Sequence, residues 1–135
     1  MTEDAPKVEI EAIHHARTSG SGHWSFTWRI RNLTDRPIKF LAARLPHGQF
    51  RSQERAFNPP LEAASGANVE METSVLCAEP AGTVIENAFL ILLTEWQESR
   101  WRIFARLRMT MNQREEPEAV TELVTTQQVG FSGLE

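Results

Sequence analysis

Cysteine is almost missing from this 135-residue chain: Cys77 stands alone, so no intramolecular disulfide can form. Long apolar runs are missing too. Ala88 to Leu93 is among the longest, far short of the roughly 20 residues a membrane-crossing helix needs. The start, Met1-Thr2-Glu3-Asp4, is acidic and lacks the cationic and apolar parts of a secretory signal. Together these absences point to the cytoplasm and to no membrane partner. Nor is there a surplus of positive charge. The net charge of −4 and pI near 5.6 do not draw polyanions over a distance, which argues against nucleic acid. The seven glycines form no phosphate-binding or dinucleotide motif. No Gly-x-Ser-x-Gly occurs, and only Asp4 and Asp35 could orient a histidine, which excludes a serine triad.

What is present is periodicity of two. Val8, Ile10 and Ala12 alternate with charged residues from Lys7 onward. Trp24, Phe26, Trp28 and Ile30 alternate with Ser25, Thr27, Arg29 and Arg31, the pattern of a half-buried strand. Ile38–Leu45 is a less regular strand, Val69–Cys77 a regular one, and Val120–Phe131 a weaker last one. Phe50–Phe57 fits either a short strand or a helical turn. Turn residues separate the runs: Gly20-Ser21-Gly22, Asn32 to Pro37, Pro46-His47-Gly48 and Glu79-Pro80-Ala81-Gly82, the last suiting a type I turn. Asn58-Pro59-Pro60 is expected to interrupt any central strand, because proline lacks a donor. Glu116-Pro117 is expected to end the strand before it. The expectation is an all-β antiparallel fold of about seven or eight strands. Residues 1–6 form a disordered N-terminus and residues 7–135 a single domain.

The strand ending in Arg31-Asn32-Leu33-Thr34-Asp35, the strand after it, and the Pro/Gly-marked turn into Val69–Val75 resemble an immunoglobulin-like or fibronectin-type β-sandwich. The Cys–Trp–Cys core of antibody domains is absent. A small β-barrel is the alternative. The resemblance concerns fold, and such folds host many functions.

Residues 84–111 read as one long β-hairpin, Val84–Trp96 and Trp101–Met111 about a turn at Gln97-Glu98-Ser99-Arg100. This turn sets Trp96 opposite Trp101, Thr94 opposite Ile103 and Leu92 opposite Ala105. One face is then nearly pure hydrocarbon and belongs to the core. The other pairs Leu93 with Phe104, Ile91 with Arg106 and Phe89 with Arg108, with Arg102 beside Glu95. It is an apolar patch edged by arginines, the composition of an interface. Either another segment of the chain covers it, with Val129-Gly130-Phe131 or Phe40-Leu41 as candidates, or a partner does, most simply a second copy.

Other candidates are weaker. His14 and His15 are neighbours on a strand, so they point to opposite faces and cannot chelate together. Cys77 falls on the apolar face of its strand, as a small core residue does. Glu70 and Glu72 share a polar face turned to water, unlike a buried glycosidase pair. Arg29 and Arg31 would join Arg102, Arg106 and Arg108 on one surface if their strands were neighbours. The loop carrying His47, Phe50 and Arg51 offers an exposed aromatic beside a cation. No catalytic residue, metal or cofactor is implied. The expected function is a non-catalytic protein–protein interaction module, with a small-molecule binder built on a Trp-lined pocket as the alternative.

Overall fold

The computed structural model describes residues 4–130. It is all-β: β1 (Val8–Arg17), β2 (His23–Asn32), β3 (Ile38–His47), β4 (Phe50–Ala63), β5 (Asn68–Leu76), β6 (Val84–Trp96), β7 (Ser99–Met111) and β8 (Pro117–Gln128). They form one antiparallel sheet in the order β1-β2-β5-β4-β3-β6-β7-β8, curled into a nearly closed barrel. This fits the barrel expected as the alternative. Among the described residues no helix is long and apolar enough to cross a membrane. Of the expected disordered segment, residues 1–3 lie outside the described residues and Pro6 is buried.

The alternation read from the sequence drives the fold. Trp24, Phe26, Trp28 and Ile30 all point inward from β2 and are buried. Phe26 stacks on Trp28 with centroids 5.6 Å apart and meets Phe50 edge-on at 5.1 Å. The indole N–H groups find acceptors: Trp28 donates to the Thr73 hydroxyl at 2.9 Å and Trp24 to the Cys77 carbonyl at 3.1 Å. Each such ring buries on the order of 150–250 Å², so truncating one to alanine costs roughly 3–5 kcal/mol. Burial pushes the Cys77 thiol up to about 11, with Glu79 adding to the shift.

The backbone ladder has two gaps. β1 and β8 stand at the ends of the order and touch without pairing. Here His15 packs on Phe26 and Trp24 and places Nε2 3.8 Å from the Glu116 carboxylate. A hydrogen bond from Asn112 and the nearby His15 and Arg114 hold Glu116 below the usual carboxylate range. β4 and β5 share a single residue pair, Arg51 with Leu76.

Four expectations need correction. The hairpin turn is Gln97-Glu98 alone, with φ of 50° and 66°, the left-handed pair of a type I′ turn. Trp96 therefore faces Ser99, Thr94 faces Trp101 and Leu92 faces Ile103, two residues from the expected register. The side-chain period is also two, so both faces survive the shift. Next, Asn58-Pro59-Pro60 does not break β4. The strand runs through, with a cis Asn58–Pro59 bond. The β3 ladder skips this stretch, from Ala42 with Ala56 to Phe40 with Leu61, so no donor is required of the prolines. Third, Pro117 opens β8 as the partner of Met111, the first-residue position that proline tolerates. The turn before β6 also slips by one: Thr83 N–H donates to the Pro80 carbonyl at 3.2 Å, and Gly82 takes φ 88° at the third place.

A buried asparagine ties the strand ends together. Asn32 Nδ2 donates to the carbonyls of Arg36 (2.7 Å), Ala63 (3.0 Å) and Ala64 (3.3 Å). Its Oδ1 accepts from the N–H and hydroxyl of Thr34 at 2.8 and 2.7 Å. The Thr34 hydroxyl in turn accepts from Trp96 Nε1 at 3.3 Å.

Candidate interaction face

From Ala88 to Trp96, beyond a bulge at Glu86-Asn87, β6 alternates in step with β7. Leu90, Leu92, Thr94 and Trp96 face inward with Ile103, Ala105, Leu107 and Met109, and all are buried. The other half of the pleat faces outward. There Leu93 pairs with Arg102, Ile91 with Phe104, Phe89 with Arg106 and Glu95 with Arg100. This corrects the expected cross-strand partners and keeps every residue on the expected face. Phe89, Ile91, Leu93, Arg102, Phe104 and Arg106 are half-buried. Arg108 is exposed and pairs with Val120 on β8.

Neighbouring strands widen the patch. Leu123 faces Arg106 and Val120 faces Arg108, at 48% and 62% exposure, high values for such side chains. On the other flank Arg44 and Ala42 of β3 face Ile91 and Leu93. A small hollow of about 210 Å³ lies between Ala42, Arg44, Ile91, Leu93 and Arg102. The centre is thus apolar and the rim carries Arg44, Arg102, Arg106 and Arg108, with Glu54 on the wall of the hollow and Glu95 and Glu122 as further acids. Arg106 Nε lies 3.7 Å from the Glu122 carboxylate and is buried without a hydrogen-bond acceptor. The sequence did not mark Val120 and Leu123, because a bulge opposite Arg106/Leu107 breaks their alternation.

Of the segments expected to cover this face, Leu41 is half-buried on β3. Phe40 is fully buried in the core. Val129 continues the edge of β8, its N–H donating to the Arg100 carbonyl at 2.8 Å. Phe131 lies outside the described residues.

The remaining candidates are dispersed. Phe50 is not exposed: it is fully buried against Phe26. The loop recognition idea therefore loses its aromatic. His47 and Arg51 spend bonds on their own turn, His47 Nδ1 accepting from Gln49 N–H at 3.1 Å and Arg51 donating to the Gly48 carbonyl at 2.9 Å. The arginines do not share one surface. Arg29 and Arg31 lie on β2, which neighbours β1 and β5 and not β7. Arg29 is paired with Glu11 at 3.5 Å and Glu70 at 3.8 Å. His14 is exposed while His15 lies against the aromatic core, opposite faces as the alternation requires. Among the described residues no cluster of His, Cys, Asp and Glu could hold a metal ion. Cys77 is buried, its sulfur 3.7 Å from that of Met111, and among the described residues no histidine or carboxylate hydrogen-bonds to it. Comparison with protein-family models and with curated proteins finds no match to this chain.

Proposed function

We propose that this protein is a non-catalytic interaction module that binds protein through the outer face of β6, β7 and β8, with a second copy of itself as the simplest partner. One observation carries the reading. Phe89, Ile91, Leu93 and Phe104 lie together on the outer face of β6 and β7, and Leu123 and Val120 of β8, 48% and 62% exposed, continue it. A patch of the order of 300–400 Å² falls in the range of the largest apolar patch on a monomer, which is often functional. At about 25 cal/mol per Å², covering such a patch is worth several kcal/mol. Aromatic side chains rimmed by arginine are the composition enriched at protein interfaces. Arg102, Arg106 and Arg108 with Glu95 and Glu122 give the rim both signs, as a self-complementary surface requires.

The finer fold reading, an immunoglobulin-like sandwich, is supported by strand order. β1-β2-β5-β4 followed by β3-β6-β7 matches the ABED and CFG groups of constant-type domains. A cytoplasmic setting agrees with the unpaired Cys77. The small-ligand alternative is reduced to a groove beside Trp24, since Trp24, Trp28 and Trp96 are at most 3% exposed and fill the interior themselves.

Sedimentation equilibrium tests the proposal. The wild type should self-associate with rising concentration. Phe104→Glu should shift it to monomer while leaving the circular dichroism spectrum unchanged. A wild type that remains a monomer at millimolar concentration removes the self-association reading.

A further inference from the structure

β5 is served on one side only. Every residue from Asn68 to Leu76 is paired with β2, whereas only Leu76 is paired with β4. Backbone N–H and C=O groups of an antiparallel strand point alternately to its two sides. The stretch 68–75 therefore offers half its groups to the gap between β4 and β5. One of them, the Glu72 carbonyl, takes a hydrogen bond from the Arg55 guanidinium at 2.6 Å. A side chain stands there in place of a ladder bond.

The gap is also hollow. A groove of about 690 Å³ lies at its paired end, with Trp24, Thr73 and Val75 beneath and His23, Arg51 and Arg55 along its sides; Glu54 is the acid that lines it. A second of about 340 Å³ continues along the seam over Phe57, Leu61 and Met71, flanked by Glu70 and Glu72. The Ser52 hydroxyl, on the wall of the first groove, is buried with no hydrogen-bond partner. At the same end Arg55 lies over the Phe57 ring, 5.5 Å from its centroid. Arg51 and Arg55 donate to backbone carbonyls, and neither belongs to an ion pair among the described residues. A guanidinium's strongest partner is a carboxylate, which it can grip with two parallel bonds.

We propose that the gap between β4 and β5 receives an extended peptide bearing an acidic side chain. The peptide backbone adds to the free edge of β5, and its N–H replaces Arg55 on the Glu72 carbonyl. The released Arg55, with Arg51, holds the carboxylate. Alternate side chains of the peptide settle over Trp24 and Val75, and the Ser52 hydroxyl gains an acceptor. Glu54 is shared with the hollow on the flank of the β6–β7 face; the other residues of this site are separate from that face.

Titration of the isotope-labelled protein by NMR tests the site, with an acetylated, amidated peptide of alternating valine and glutamate as the probe. A valine–lysine twin and a backbone N-methylated glutamate peptide serve as comparisons. The valine–glutamate peptide should shift amides in 51–57 and 69–76 and slow their exchange with solvent, leaving 89–106 unmoved. Arg55→Gln, whose side chain lies in the gap and not in the core, should weaken binding by about tenfold, the scale of one charge-assisted hydrogen bond. The lysine twin should bind weaker still, and N-methylation should abolish binding. Shifts confined to the β6–β7 face, equal binding of the lysine and N-methylated peptides, or no shift with any of them would overturn the proposal.

Discussion

Replacing Asn32 by alanine should be among the most damaging single changes in this protein, although it removes little apolar surface. Asn32 is fully buried. Its loss strips the Thr34 N–H of its acceptor and the Ala63 carbonyl of the Nδ2 donor. The other contacts are cushioned: the Ala64 carbonyl still accepts from Ala67 N–H at 2.9 Å, and the Arg36 carbonyl from the Thr34 hydroxyl at 2.9 Å. Two buried groups left unserved cost about 1–3 kcal/mol each, so the expected loss is roughly 3–4 kcal/mol. Against a total stability of about 5–15 kcal/mol, that lowers Tm by roughly 10–15 °C. Asn32→Asp separates hydrogen bonding from shape. It retains Oδ1 for Thr34 and turns a second oxygen toward three carbonyls. At neutral pH it should destabilise at least as much as alanine. Its folded-state pKa must then lie above the unfolded value of about 3.9, because those carbonyls favour the protonated acid. Its deficit relative to wild type should therefore shrink as pH falls through the folded-state pKa and widen as pH rises. Urea unfolding followed by tryptophan fluorescence measures both, with the m-value unchanged. A loss under about 1 kcal/mol for alanine, or an aspartate as stable as asparagine at neutral pH, refutes the reasoning.

Other tests follow from single positions. Gly22 has φ 81°, and an added Cβ would lie 2.8 Å from that of Ala78; Gly22→Ala should cost roughly 2–3 kcal/mol by thermal unfolding. Gly48 has no such neighbour within 4 Å and no positive φ, so Gly48→Ala should be neutral or stabilise by up to about 1 kcal/mol. With its thiol near 11, Cys77 should resist alkylation at pH 8 in the folded state and react readily in urea. Its raised pKa contributes stability that is complete below the unfolded value and fades as pH climbs toward 11. Asn112→Ala should raise the Glu116 pKa, since the Asn112 hydrogen bond is the main reason it is low; a carbon-detected NMR titration reads this directly.

Most strands were legible because one face of each is buried, which writes alternation into the chain. β2 shows this most clearly, from Trp24 to Ile30. The hairpin faces were legible for the same reason, but the register was not. Gln97 and Glu98 both adopt positive φ without the Asn-Gly or Asp-Gly that usually advertises such a turn. Phe50 was misread because it follows a turn, and its burial depends on Phe26 from a distant strand. The continuity of β4 past Pro59 and Pro60 depends on β3 skipping the stretch, which local composition does not encode. The arginines were misgrouped because neighbours across a sheet follow from topology: β2 and β7 belong to different parts of the order. Of the candidate face, the residues on β6 and β7 were readable, whereas Val120 and Leu123 were hidden by the β8 bulge.

A ring of backbone bonds cut at β1/β8 and spanned by one residue pair at β4/β5 behaves as two arcs, not one hoop. β1-β2-β5 and β4-β3-β6-β7-β8 are each zipped from within. What clamps arc to arc is chiefly packed hydrocarbon, the Asn32 bond to the Ala63 carbonyl, the His15–Glu116 contact and the reach of Arg55. Pulled apart or warmed, the molecule should therefore open like a clam along these two lines before any strand peels from its neighbour.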